Sequence, residues 1–208
     1  MGLKEFLKEK QFEKTNGGTI TIGDYKYRFN QEWNGEWWEQ NSSLHGYGVR
    51  VLDNTKSEYG EIQSEIDGIP VVSMKSTFYG CKNMIKSPEI PNTIKVLERT
   101  FEDCEKLINA PDIPKGAKNL EFIFAKCSNL KSPPEIPDGV KTMYAAFWNC
   151  SSLETLPDIP NSVKQTGYIF EGCPKDTLAD TLLSDNAPIN TNFITDIDEK
   201  SQDSHEEL

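Results

Sequence analysis

Five cysteines, Cys81, Cys104, Cys127, Cys150 and Cys173, stand at a constant interval of 23 residues, and their surroundings repeat with them. Three residues before each stands a Phe: Phe78, Phe101, Phe124, Phe147 and Phe170. Three residues after the first four come Met84, Leu107, Leu130 and Leu153, and seven after come Pro88, Pro111, Pro134 and Pro157. An acid follows (Glu89, Asp112, Glu135, Asp158), then Ile90, Ile113, Ile136 or Ile159, then Pro91, Pro114, Pro137 or Pro160. Next come an apolar residue (Ile94, Ala117, Val140, Val163), a lysine (Lys95, Lys118, Lys141, Lys164) and, two further on, Leu97, Leu120, Met143 and Thr166. The register holds without an insertion, which is the signature of a repeat architecture.

A unit this short cannot bury its apolar side chains alone, so it must stack on copies of itself. The expected fold class is an α/β repeat solenoid, a curved stack with short parallel β-strands. The Phe, Cys, Leu, Ile, Val and Leu/Met columns form its inward ladder. An extended piece before and at each Ile can pair with its neighbours about 4.8 Å away. Prolines on both sides trim it to a few residues, because Pro has no N–H for the ladder. The Asn92-Thr93, Lys115-Gly116, Asp138-Gly139 and Asn161-Ser162 pairs are turn chemistry. From the lysine to the next cysteine, apolar residues recur at spacings of three and four, so a short helical or 3₁₀ turn is expected there.

The pattern Phe-x-x-Cys-x-x-Leu-x-x-x-Pro-x-Ile-Pro-x-x-Val-Lys-x-Leu/Met resembles the bacterial leucine-rich repeats of the Treponema or BspA-like type, with units in the 20–29-residue range of such repeats. The stretch IDGIPVVSMKSTFYGC, residues 66–81, is similar to the opening unit of that family. The resemblance covers residues 66–174. It implies an interaction scaffold, often on a bacterial surface, with no shared catalytic residues.

Stacked units expose apolar surface at both ends and need caps. Residues 19–65 are expected to form a β-rich N-terminal cap. TITIGDYKYRF alternates around Gly23-Asp24, NQEWNGEWWEQ carries an Asn34-Gly35 hairpin signal, and GYGVRVLD alternates again. Trp33, Trp37 and Trp38 are read as covering that end of the core, with a ligand platform as the alternative. Residues 1–18 read as a helical arm, 175–195 as a C-terminal cap with a short helix over 176–183, and 196–208 as an acidic disordered tail.

The formal charge is −11, and the tail DIDEKSQDSHEEL carries six acids against one lysine. From Phe78 to Cys173, eleven basic side chains face twelve acidic ones. A nucleic-acid binder needs a basic footprint, so no nucleic-acid partner is expected. No apolar run approaches the length of a membrane span. The first residues lack the apolar core of a signal peptide, so the chain as given reads as cytoplasmic, or as a surface or secreted protein if a signal has been removed.

Five thiols raise the question of metal or redox chemistry. Zinc sites use closely spaced Cys pairs, whereas no two cysteines here are nearer than 23 residues, and the two histidines, His45 and His205, lie outside the repeats. No metal, cofactor or catalytic residue is expected, and the cysteines read as a structural thiol ladder. The acids Glu89, Asp112, Glu135 and Asp158 are expected opposite the inward Ile, on the concave sheet face. Carboxylates in pairs can hydrolyse glycosides, but a ladder of equivalents has no asymmetry between acid and base. Their reading is a solvated face or a binding strip. Trp148 departs from its column, where other units have Tyr79, Glu102, Ala125 and Glu171, and joins the acids as a recognition candidate. The lysine ladder reads as a solvated edge.

The expected function is a non-enzymatic leucine-rich-repeat scaffold that binds a protein, or a glycan, through its concave face. The alternative is an intracellular inhibitor of phage or mobile-element type whose acidic surface blocks a basic groove of a host enzyme.

Overall fold

The computed structural model describes residues 19–30 and 46–174. The expected N-terminal arm, the Asn34-Gly35 hairpin, Trp33, Trp37, Trp38, the helix over 176–183 and the acidic tail lie outside the described residues.

The described residues before the repeats hold five strands: β1 (Thr19–Ile22), β2 (Tyr25–Asn30), β3 (Gly46–Val51), β4 (Glu65–Ile66) and β5 (Ile69–Ser73). They are ordered β1-β2-β3-β5-β4. β1 and β2 pair antiparallel with Ile22 opposite Tyr25, so Gly23 and Asp24 form a two-residue turn whose first position has φ 57°. β4 and β5 meet through Asp67-Gly68, both at positive φ (52° and 74°), the requirement of the tight turn that matches strand twist. β3 runs antiparallel to β2 but parallel to β5. At Gly46 an added Cβ would fall 2.5 Å from Pro70 O and 2.9 Å from Val72, so that junction has room only for glycine.

β5 leads directly into the repeats. Ser73 bridges Val96 in parallel, Val96 bridges Asn119, Asn119 bridges Thr142 and Thr142 bridges Gln165. The strand component of each unit is this one position, just past the lysine. The strand expected before and at the Ile column has a bridge at one rung, Asn109 with Ser132. Prolines on both sides of that stretch remove the N–H groups a longer ladder needs.

The α component expected between lysine and cysteine is replaced by consecutive turns, and no α- or 3₁₀-helix occurs among the described residues. Two positions in every unit have positive φ. One comprises Ser76, Arg99, Phe122, Ala145 and Tyr168; the other comprises Gly80, Asp103, Lys126, Asn149 and Gly172. A left-handed residue every few positions is incompatible with helix propagation. The backbone is satisfied by alternation. Thr100 N–H donates to Leu97 O, Glu102 to Arg99 O and Cys104 to Phe101 O, closing turns. Between them Leu97, Arg99, Phe101 and Asp103 donate to Asn119, Glu121, Ile123 and Ala125 in the next unit, at 2.8–3.3 Å. The same pattern joins each pair of neighbouring units.

Inside, the columns form ladders. Phe78, Phe101, Phe124, Phe147 and Phe170 stack at centroid spacings of 5.4, 5.5, 5.6 and 5.7 Å. At the N-terminal end, Tyr59 and Tyr25 meet Phe78 edge-on, at 5.1 and 6.2 Å, and close the stack. Their hydroxyls are satisfied: Tyr25 donates to Gly60 O at 2.7 Å and Tyr59 to Asp53 O at 2.9 Å. Buried tyrosines find a partner this way at the boundary between core and water.

Candidate functional site

The five cysteines are free and buried. Each thiol after the first donates to the carbonyl of the Phe one unit back: Cys104 to Phe78, Cys127 to Phe101, Cys150 to Phe124 and Cys173 to Phe147, at 3.1–3.2 Å. Cys81, with no Phe one unit back, is hydrogen-bonded to Tyr59 Oη at 3.2 Å. Burial disfavours the thiolate and pushes Cys104, Cys127 and Cys150 well above the usual thiol range, and Cys173 up to about 11. The thiolate is the nucleophile and the metal ligand, so burial works against both roles at these positions. Among the described residues, no three His, Cys, Asp or Glu side chains converge as a metal site requires.

The four acids are all exposed. They stand on the proline-bounded stretch, away from the regular bridges past the lysines. Glu89 and Asp112 share one groove of about 680 Å³. Glu135 and Asp158 share another, of about 480 Å³. Among the described residues no hydrogen bond or ion pair reaches these four carboxylates. Trp148 lines neither groove. It sits on the turn segment, with Lys126 Nζ 5.2 Å from its ring centre.

The first groove has a further feature, outside the repeated columns that mark the core and the acids. The position four past the cysteine is Ile85, Ile108, Lys131 and Glu154. In the later units the last two form an exposed pair at 2.8 Å. In the first two units Ile85 and Ile108 stand 48% and 41% exposed and line the groove beside Glu89 and Asp112. The backbone there is also less closed. Lys131 N–H donates to Ile108 O and Glu154 N–H to Lys131 O, whereas Ile85 N–H turns to Ser57 O and no bond joins Ile108 N–H to Ile85 O. The signal was in the sequence, as two apolar residues in a column that later units fill with charge.

A second surface lies along the turn segment. Phe122, Tyr144 and Tyr168 meet edge-to-face at 5.5 Å steps, and the Arg99 guanidinium lies 4.3 Å from the Phe122 centroid. Arg99 also pairs with Glu102 at 2.9 Å. Lys75 Nζ is 2.8 Å from Glu98 Oε2, a close charge contact. Glu98 and Glu102 are nearly buried, so these cations compensate carboxylates that would otherwise be costly inside.

Comparison with known proteins agrees with this architecture. The BspA type leucine rich repeat region matches residues 53–177 in six copies, beginning ahead of the residue 66 read from the columns. The crystal structure of a T. pallidum leucine-rich repeat protein is similar, with 28% identity and a TM-score of 0.52. The match covers 61% of this chain and 59% of that one, so the chain spans little more than half of that protein's length. Among curated proteins nothing matches significantly. The family match covers more than half of the chain and coincides with the stacked units, and the chain belongs to the BspA-type leucine-rich repeat family.

Proposed function

We propose that this chain is a non-enzymatic repeat scaffold that binds a protein partner, taking an extended segment of that partner in the groove of Ile85, Ile108, Glu89 and Asp112. The supporting observation is the combination, in a groove that Lys86 also lines, of two exposed isoleucines with two carboxylates that make no ion pair among the described residues. Hydrophobic side chains give such a contact its affinity. The carboxylates select lysine or arginine beside them and disfavour acidic competitors. Glu135 and Asp158 extend the acidic strip along the second groove, and Trp148 offers a separate aromatic contact on the turn segment. A solenoid presents positions of this kind at regular intervals, which suits an extended partner.

The probe is a peptide of alternating lysine and valine, read by fluorescence anisotropy against the full chain, with an alternating glutamate and valine peptide as control. Tight binding of the cationic peptide alone is expected. It should weaken by about tenfold in Ile85→Ser/Ile108→Ser and again in Glu89→Gln/Asp112→Gln. Equal binding of both peptides, or indifference to the isoleucine pair, would overturn the groove. Binding abolished by salt and untouched by the isoleucine change would instead favour an acidic surface that blocks a basic groove on an enzyme.

A further inference from the structure

On the turn side, every unit is bonded to the next in the same way. On the proline-bounded side the bonding differs from unit to unit. Between the second and third units, Lys131 N–H donates to Ile108 O at 2.9 Å and Ala110 N–H to Ser132 O at 3.3 Å. Between the third and fourth, Glu154 N–H donates to Lys131 O at 2.9 Å. The counterparts one unit earlier would join Ile108 N–H to Ile85 O and Ser87 N–H to Asn109 O. Neither bond is made, and among the described residues no hydrogen bond links 85–91 with 108–114.

This gap is local. Before it Lys106 Nζ donates to Asn83 Oδ1 at 2.9 Å, and past it Lys118 N–H donates to Lys95 O at 3.2 Å. Beneath it Phe78 and Phe101 stack at 5.4 Å. The first unit is engaged instead by the chain that precedes it. Ile85 N–H donates to Ser57 O, Asn83 Nδ2 to Thr55 O and Thr93 Oγ1 to Ser64 O, each at 3.1 Å. Those bonds fix the first proline-bounded stretch on its cap side, and the larger groove, about 680 Å³ against about 480 Å³, lies at the gap. Four main-chain groups are left there without a partner among the described residues: the donors Ser87 N–H and Ile108 N–H and the acceptors Ile85 O and Asn109 O. All four residues line the groove.

We propose that the partner's extended segment binds at this gap by strand addition, its own main chain accepting from Ser87 N–H and Ile108 N–H and donating to Ile85 O and Asn109 O. The proposal rests on the groove reading above and names how the groove holds its ligand. Unpaired donors and acceptors beside exposed isoleucines suit a ligand with an N–H and a C=O at every residue and an apolar side chain at every second one, which is an extended polypeptide. A further strand needs about 4.8 Å on each side. The rings hold the two units too close for that in the core, so the segment lies along the mouth of the groove. Main-chain bonds then supply affinity that any sequence can use, while Ile85, Ile108, Glu89 and Asp112 select among sequences. A proline opposite Ile85 O or Asn109 O is refused, because it has no N–H to give.

Amide exchange of the full chain, read residue by residue by NMR with and without saturating lysine–valine peptide, tests this. In the free chain the amides of Ser87 and Ile108 should exchange at least about tenfold faster than those of Ala110 and Lys131, which already have acceptors. Bound peptide should slow the first two by at least about tenfold and leave the second two unchanged. A depsipeptide of the same side chains, with ester oxygen in place of every valine N–H or of every lysine N–H, separates bonding from mere covering. One of the two series should bind at least about tenfold more weakly than the all-amide peptide. Slow exchange of Ser87 and Ile108 in the free chain, peptide binding that leaves both amides fast, or equal binding of both ester series and the parent would each overturn strand addition. If the isoleucine variants still weaken the peptide in those cases, the groove reading stands without it. No binding of the peptide at all defeats both.

Discussion

Phe101 lies parallel to Phe124, with ring centroids 5.5 Å apart and planes within 8° of each other. Each ring has a like ring on both sides, and both are fully buried. Removing one opens a cavity in the middle of a ladder whose neighbours are held by their own backbone bonds and cannot collapse into it. Phe124→Ala should therefore cost about 3–5 kcal/mol. Phe170→Ala, at the end of the stack and bounded by one ring, should cost clearly less. Urea unfolding of the two variants checks the order, and equal losses would count against a ladder that shares its packing between units.

The thiols predict a pH dependence. All five are raised by burial above their ordinary value. A raised folded-state value means that the unfolded chain releases its thiol protons first, so their contribution is complete below the unfolded thiol range and is lost as pH rises through the folded values. The urea midpoint should fall from about pH 8.5 toward pH 11. A Cys104→Ala/Cys127→Ala/Cys150→Ala variant should show a flatter decline. In native buffer, a thiol reagent should label Cys173 before Cys104, Cys127 or Cys150.

Adjacent alanines separate backbone strain from packing. Ala145 has φ 52° and Ala146 lies outside the left-handed set, and both are buried. Ala145→Gly removes a Cβ from a conformation that costs an L-residue about 1–2 kcal/mol, and should stabilise the chain. Ala146→Gly gains no such relief and should destabilise it by about 0.5–1 kcal/mol. Opposite signs in thermal or chemical denaturation are the expected result.

Arg99 is shared between Glu102 and the Phe122 ring. Truncating it leaves a nearly buried carboxylate without its closest cation, so Arg99→Ala should cost about 1–3 kcal/mol. Arg99→Lys should recover only part of this, because an ammonium does not lie flat on an aromatic face while forking to a carboxylate. Complete rescue by lysine in denaturation experiments would show that charge alone is at work.

Much of the fold was legible because stacking converts sequence period into spatial identity. Phe147, Cys150, Leu153, Ile159 and Val163 could be assigned to the core from their columns, since any residue that must meet its own copy one unit away has little freedom. The turn segment was misread for a definite reason. Leu97, Phe101 and Cys104 have the three-and-four spacing of a helix face, and a chain of turns produces the same burial. What distinguishes them is the sign of φ, which apolar periodicity does not encode. The column Gly80, Asp103, Lys126, Asn149 and Gly172 held a clue, being rich in residues that tolerate the left-handed region. The other column, with Arg99, Phe122, Ala145 and Tyr168, held none.

For the candidate site, sequence alone determined which residues would recur on a common line: the carboxylates Glu89, Asp112, Glu135 and Asp158, the buried thiols, and the prolines beside the acids. Translation from unit to unit suffices for that. Only the tertiary structure decided that the acids leave the regular bridges and gather in pairs within two grooves, that Trp148 belongs to another surface, and that Ile85 and Ile108 stand exposed beside the first pair. Those outcomes depend on which peptide planes rotate and which backbone groups find partners across units. They are properties of the assembled stack, and no single unit contains them.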